Sequence, residues 1–409
     1  MSIGNNKIFY LALDPERATG VEDDLANYAI ICPYKSAFTD DLEARGTKMF
    51  ILERDCVDKN WEDNLRAGTY GVAKLTCVIK YIDDLSAGQQ SNILVLKTSE
   101  PIEQECQKNS WQLMAPRADL ATLFEDKITQ YQHLKDSIEF PPTIITTLSQ
   151  ATKVIAKMPL PLVAQYNIGH SGGGTFILQS IEDLTPHAEK FPNREVRIAQ
   201  FITGNTYTLN AFAAKNGTVY TGSISKQLTG LPEATNNPSS TVGNDFGIVS
   251  EELSQSQIEA IGVMARNVGT AMHAKGYNGL FGIDAVAEKS TGKVYFIEVN
   301  THQPASISFE AKLHRAINKT PLILLFINDM LEPGFEPKKE LALSLSNGDL
   351  PPLVLRGKVR QVLYRNKLQN EVLVSEIQLP LGEGIVTSRM KVVGVNEELY
   401  RVQEYIINE

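Results

Sequence analysis

The sequence predicts a multidomain protein, an open α/β domain followed by α+β architecture. Its 409 residues exceed what one hydrophobic core usually organises. With 43% hydrophobic and 21% charged residues the composition is globular, with enough apolar side chains to fill two or three cores. Near Pro142 the texture also changes, from short β-rich runs spaced by helix-length stretches to strands gathered around a glycine-rich segment. The expected units are an N-terminal α/β domain over 1–117, a central domain over 118–333 with a smaller subdomain at about 140–203, and a small β-rich C-terminal appendage over 334–409.

In order along the chain, strands are expected at Lys7–Leu13, Tyr28–Cys32, Lys48–Leu52 and Ile93–Leu96, with Trp111–Pro116 as the last strand of the first domain. Ala118–Ser137 has helical spacing and stops before the extended Glu139–Pro142, because a proline restricts the residue before it. Val154–Gln165 and Val196–Ile202 read as strands bracketing Gly169–Phe176, a segment too unrestrained for an element interior. Leu209–Phe212 and Val219–Ser225 continue the strands. Thr229–Ser250, rich in Gly, Pro, Asn, Ser and Thr, reads as a long mobile loop of the functional kind. A helix over about Gln255–Lys275 precedes two strands, Leu280–Ala287 and Lys293–Asn300, and a further helix is expected near Leu313–Met330. Gly334–Lys339 reads as a linker, and the remainder alternates as β structure without visible chemistry.

The net charge of -9 provides no general attraction to nucleic acid or an anionic membrane surface. The N-terminus lacks a secretory pattern, and the longest apolar run, Leu322–Ile327, is far too short to span a bilayer, so a cytoplasmic protein is expected. Cys32, Cys56, Cys77 and Cys106 show no CxxC spacing. Buried, reduced thiols are expected rather than a zinc site or a disulfide framework.

The strongest chemical signal is Gly282-Ile283-Asp284 followed by Phe296–Asn300. Glu298 and Asn300 are two apart on a strand and face one side. If Ser290–Gly292 is a three-residue hairpin loop with Gly292 left-handed, Lys289 opposes Lys293 and Asp284 falls opposite Glu298. Two carboxylates and an amide oxygen then form a hard-oxygen site suited to magnesium held jointly with substrate phosphates. The plainer alternative is a solvated strand face, which the apolar neighbours Phe281, Ile283, Phe296, Ile297 and Val299 oppose. The second signal is Gly169, Gly172, Gly173 and Gly174 interleaved with His170, Ser171 and Thr175. Such a loop lets backbone N–H groups approach phosphate oxygens, and read by itself it is equally a flexible hairpin turn.

In this order, the segments from Ala118 to Met330 resemble the ATP-grasp superfamily of carboxylate-amine ligases. The resemblance makes Lys127 the first ATP-binding lysine, Gly172, Gly173 and Gly174 part of a phosphate-covering lid, and Gln200, Phe201 and Ile202 the hinge whose backbone hydrogen-bonds adenine. Asp284, Glu298 and Asn300 become the metal ligands. Gln165 stands where many members carry a second lysine, and supplies a hydrogen bond to phosphate or adenine without charge. Thr206 stands at the hinge acid, and His302 where many relatives have an arginine; His302 is either a donor or a shaper of the pocket. Lys226 is the candidate for compensating phosphate charge, the alternative being a solvated lysine. Arg194, Arg197 and Arg266 are either carboxylate binders or structural residues.

Gln165 and the GHSGGGTF segment look closest to branches that make peptides and natural-product amides. The resemblance implies ATP and one or two Mg2+ ions as cofactors, with Mn2+ able to substitute, and small-molecule carboxylate and amine substrates. It implies an acyl phosphate intermediate and a homodimer. A thiol acceptor, such as the phosphopantetheine of an acyl carrier protein, is the enzymatic rival. Gln165, Thr206 and His302 also motivate a non-catalytic ATP-binding regulatory or scaffold protein.

Overall fold

The computed structural model describes residues 7–58, 60–167, 174–232, 234–235, 240–331, 352–369, 372–375, 385–392 and 395–407. Near the N-terminus β1 (Lys7–Leu11), β2 (Tyr28–Cys32), β3 (Lys48–Ile51), β4 (Ser91–Val95) and β5 (Gln112–Leu113) form a parallel sheet in the order β3-β2-β1-β4-β5. Its inner strands are apolar throughout because both faces are covered: Phe9, Leu11, Ile31 and Ile93 enter one core, and Ile8, Tyr10, Ile30 and Leu94 another. Cys32 and Cys106 are buried thiols, but Cys56 and Cys77 form a disulfide, correcting the expectation of reduced cysteines throughout. Their spacing carries no motif; the contact arises only when the segment after β3 meets the helix Thr76–Ser86.

The second sheet is antiparallel, with β6 (Thr143–Thr147), β7 (Leu162–Tyr166), β8 (Thr175–Leu178) and β9 (Glu195–Gln200) in the order β6-β9-β7-β8. The expected strand Val154–Gln165 is corrected. Leu148, Ala151 and Ile155 recur at helical spacing and form one face of the helix Leu148–Ile155, which packs on the sheet with Leu162, Ala164, Leu178, Val196 and Ile198. By strand alternation, Val163, Gln165, Thr175, Ile177, Arg197 and Ala199 lie on the other face. Gly169, Gly172 and Gly173 lie outside the described residues; Gly174, with φ +92°, leads into β8.

The third and largest sheet contains β10 (Gly204–Ala213), β11 (Val219–Thr229), β12 (Thr241–Asp245), β13 (Gly279–Glu288), β14 (Val294–Asn300), β15 (Gly357–Gln369), β16 (Val372–Ser375), β17 (Ile385–Val392) and β18 (Val395–Ile407). Their order is β14-β13-β10-β11-β12-β15-β18-β17, with β16 beside β15. The helix Gln255–His273 starts at a Ser254/Gln257 capping box and buries Ile258, Ile261, Ala265, Val268 and Met272 against Leu209, Ala211, Phe281 and Ile283. On the opposite face, Phe212, Tyr220 and Leu280 join the helix Leu322–Leu331 in the core beneath the N-terminal sheet.

Two expectations change here. Thr229–Ser250 is not one loop, since β12 and the short helix Val249–Glu252 arise within it. The helix near Leu313–Met330 is two helices, Ile307–Ala316 and Leu322–Leu331, separated around Pro321, which cannot donate within a helix. The C-terminal segment is β-rich as expected, and β15 pairs with β12, so its strands extend the central sheet. The Gly334–Lys339 linker lies outside the described residues. No helix among the described residues is long and apolar enough to cross a membrane.

Candidate functional site

The geometry of the site starts in the hairpin joining β13 to β14. Gly292 is left-handed as expected, with φ +74°. However, Gly292 N–H donates to Glu288 O and Glu288 N–H to Lys293 O, both at 2.8 Å, so the turn has four residues, Lys289–Gly292. Lys289 therefore does not oppose Lys293. The register from Ala287↔Val294 to Ala285↔Phe296 would set Asp284 against Ile297, but an irregularity there inserts one residue and restores Asp284↔Glu298 and Gly282↔Asn300. The predicted carboxylate pairing is thus observed by another route, a longer turn compensated by a bulge.

On this face Thr208 donates to Asp284 Oδ1 at 2.8 Å, and Gln227 donates to Thr208 Oγ1 at 2.9 Å. Asn300 Nδ2 lies 3.4 Å from Asp284 Oδ2. Lys127, buried at the head of the helix Lys127–Leu134, reaches Glu298 Oε2 at 2.6 Å. Burial, together with the Glu298 charge, pushes the Asp284 carboxyl up to about 7. Burial opposes the Glu298 charge too, but Lys127 and then Arg197 outweigh it and hold its pKa below the ordinary range. One carboxylate is cation-stabilised while its neighbour is strained by burial and like charge, and a divalent ion would relieve that strain. Two carboxylates and an amide oxygen fit Mg2+ by hardness.

The second sheet meets this site through Arg197. Its Nε and Nη2 donate to Gln165 Oε1 at 3.1 and 2.5 Å, Nη2 to Ile297 O at 3.1 Å, and Nη1 to Lys127 O at 3.4 Å. Gln165 Nε2 lies 3.3 Å from Thr175 Oγ1, so its amide is engaged within the sheet. Gln200, Phe201 and Ile202 lead from β9 to β10, half-buried; Gln200 N–H donates to Pro142 O and Phe201 N–H to Pro161 O.

His302 follows β14, in a small pocket with Thr98, Met114, Leu280 and Phe326 beyond the C-terminal end of β4. Burial lowers its pKa, so the ring is neutral at pH 7. Nδ1 lies 3.0 Å from Gln303 O, an acceptor only, so Nδ1 carries the proton and Nε2 an open lone pair. The hydrogen bond of His302 thus goes to Gln303 O, and the ring forms one wall of this small pocket. The reading of Lys226 is corrected. It sits opposite Tyr207, on the helix-covered side of the sheet, and pairs with Glu252 at 2.5 Å, away from the Asp284 face. Its neighbour Gln227 points to that face instead. Sequence reading missed Gln227 and Thr208 and had Arg197 only as one of three arginines; the alternation Thr206, Thr208, Asn210 was the available signal, and it needed the strand pairing to become readable.

Three solved structures share this architecture. Biotin carboxylase from Campylobacter jejuni, in a β,γ-ATP complex, superposes with a TM-score of 0.67 at 12% identity, covering 98% of this chain and 87% of that one. The biotin carboxylase domain dimer of Hydrogenobacter thermophilus 2-oxoglutarate carboxylase, with MgADP, ADP and bicarbonate, gives 0.66 at 13%, covering 98% and 86%. The chain has the ATP-grasp fold. N5-carboxyaminoimidazole synthetase from Staphylococcus aureus, complexed with ADP, shares that ATP-grasp architecture, with a TM-score of 0.59, 11% identity and coverage of 99% and 93%. No protein-family model matches the chain, and no curated protein matches its sequence.

Proposed function

We propose that this protein is an ADP-forming ligase that activates the carboxylate of an amino acid or small peptide as an acyl phosphate and couples it to an amine. The observation that carries the reading is the Asp284, Glu298 and Asn300 face, with Lys127 on Glu298, turned toward the lid sheet. ATP lies between that face and the lid sheet, its adenine on the hinge backbone at Gln200–Ile202. Asp284, Glu298 and Asn300 hold Mg2+, which when bound neutralises phosphate charge. Lys127 adds its ammonium beside the phosphates. A carboxylate oxygen of the substrate attacks the γ-phosphorus and ADP leaves. The amine then attacks the acyl carbon, phosphate departs, and the neutral Nε2 of His302 takes the proton that the amine releases. By its place at the C-terminal edge of the parallel sheet, the His302 pocket receives part of the acid or amine. A homodimer, like the dimer named for the Hydrogenobacter domain, belongs to this reading.

The carboxylase names among the similar structures, one of them with bicarbonate bound, favour a second reading in which bicarbonate is the acid. One experiment separates the two: ADP release with Mg2+ across pooled amino acids and dipeptides, with hydroxylamine as trap, beside an arm containing bicarbonate and pooled amines. Hydroxamate formed only with particular acid pools supports the peptide reading. ADP release dependent on bicarbonate supports the other. No ADP in any arm, from protein that binds MgATP, contradicts both and favours a non-catalytic binder.

A further inference from the structure

We infer that Arg197 is a positioning residue that sets Glu298 and Lys127 for the phosphates and metal; this rests on the ligase reading. Arg197 is only 4% exposed, and its guanidinium lies 5.9 Å from the Phe140 ring centre. Its fork joins three segments that are distant in sequence: the side chain of Gln165 on β7, the main-chain carbonyl of Lys127, and the main-chain carbonyl of Ile297. Two of these anchors are the proposed contacts or their immediate neighbours. Lys127 carries the ammonium, and Ile297 is the bulged residue just before Glu298.

The bulge decides which way Glu298 points. Without that extra residue the turn register would place Ile297 opposite Asp284 and send Glu298 to the far side of the sheet. A bulged residue drops out of the regular ladder, and its carbonyl needs a partner wherever water is excluded. Arg197 supplies one from a different sheet. Gln165 matters because it is neutral: it accepts two donors of the guanidinium without cancelling its charge, so the positive field at Glu298 persists. Burial lowers the Arg197 pKa to about 10, which leaves it protonated at neutral pH. Lysine cannot replace it, since a single ammonium lacks the planar fork that spans three acceptors.

The experiment measures ADP binding by calorimetry, with and without Mg2+, and Tm, for wild type, Arg197→Lys, Arg197→Met and Gln165→Leu. Because Arg197 acts through Glu298, the Mg2+ concentration that half-saturates the enhancement of ADP binding should rise at least about tenfold in Arg197→Lys. Binding of ADP without Mg2+ should change less than about threefold. A purely structural role would lower Tm without separating the two affinities. If Arg197→Met does not fold, Gln165→Leu, which removes only the lid anchor, should still raise the Mg2+ requirement about threefold or more. Wild-type Mg2+ dependence in Arg197→Lys or in Gln165→Leu overturns the positioning role alone. Failure of wild type to bind MgADP overturns the ligase reading, and this role with it.

Discussion

At the scale of single residues, the site holds two carboxylates in opposed electrostatic settings. Asp284 is destabilised as an anion by burial and by Glu298, whereas Glu298 is supported by Lys127 and Arg197. Asp284→Asn removes a charge that the fold disfavours, so its Tm should equal or exceed that of wild type while ADP formation falls by about 100-fold or more. A Tm well below wild type, or near-normal turnover, would contradict the assignment. The lysines separate cleanly. Lys127→Ala strips Glu298 of its partner and should raise the MgATP KM about tenfold or more, whereas Lys226→Ala should leave both kcat and KM within about threefold, since Lys226 points at Glu252 on the other side of the sheet. Steady-state kinetics on the two variants checks both. The contrast shows what the sequence holds at this scale. Residue types and spacing single out Asp284, Glu298 and Asn300, and the ATP-grasp resemblance adds Lys127, but whether position 226 or 227 lies on the Asp284 face depends on strand pairing. Arg197 was visible only as one arginine among several, because its three acceptors come together through tertiary contacts alone.

At the scale of elements, the central sheet rests on a buried polar cluster that no motif announced. Glu310, on the helix Ile307–Ala316, accepts from Ser223 N–H at 2.6 Å and from Asn210 Nδ2 at 3.1 Å. One turn on, His314 Nε2 lies 3.0 Å from Ser223 Oγ. A Cβ on Gly222 would meet the Glu310 carboxylate, so any side chain there would have to push that group aside. Burial pushes Glu310 up to about 7 and His314 down to about 4. The two shifts have opposite signs. A raised carboxyl makes the folded state bind more protons than the unfolded one, so stability falls as pH rises from about 4.5 to 7; a depressed histidine makes it bind fewer, so stability rises from about 4 to 6.5. Across most of that window the slopes cancel, because folding passes a proton from histidine to glutamate. Replacing the histidine, as in His314→Gln, should expose the Glu310 slope, with Tm decreasing from pH 5 to pH 7 relative to wild type. Parallel Tm profiles would mean that the pair does not exchange a proton on folding. Periodicity did reveal the long helix Gln255–His273 and the strands flanking the hairpin, since those elements bury one continuous apolar face. It failed at Val154–Gln165, where a helix and a strand run together across Pro159 and Pro161, and at the hairpin turn, where a bulge concealed a wrong loop length.

At the scale of the whole molecule, the three sheets meet where the candidate site lies. The α/β character of the first third was legible because it is written in local patterns, and the segments from Ala118 to Met330 were legible through their resemblance to the ATP-grasp superfamily. The continuity of the C-terminal strands with the central sheet was not, since the partners β12 and β15 are far apart in the chain and β12 has the composition of a loop. Val359 O accepts from Phe246 N–H at 2.6 Å, and Phe246, Phe309, Leu313, Leu355 and Val359 share one core. A chain ending at residue 351 should therefore aggregate, or lose about 10 °C or more of Tm, although every proposed nucleotide and metal residue remains; a soluble monomer with unchanged Tm would contradict the dependence. The same pairing has a consequence for biosynthesis. Until the ribosome has made β15, β12 has no outer neighbour, so the nascent protein carries an open strand edge over that stretch of synthesis. The site residues are translated well before the sheet that carries them gains β15, which makes that interval of synthesis the stage at which this chain most depends on slow, uninterrupted elongation or on chaperone cover.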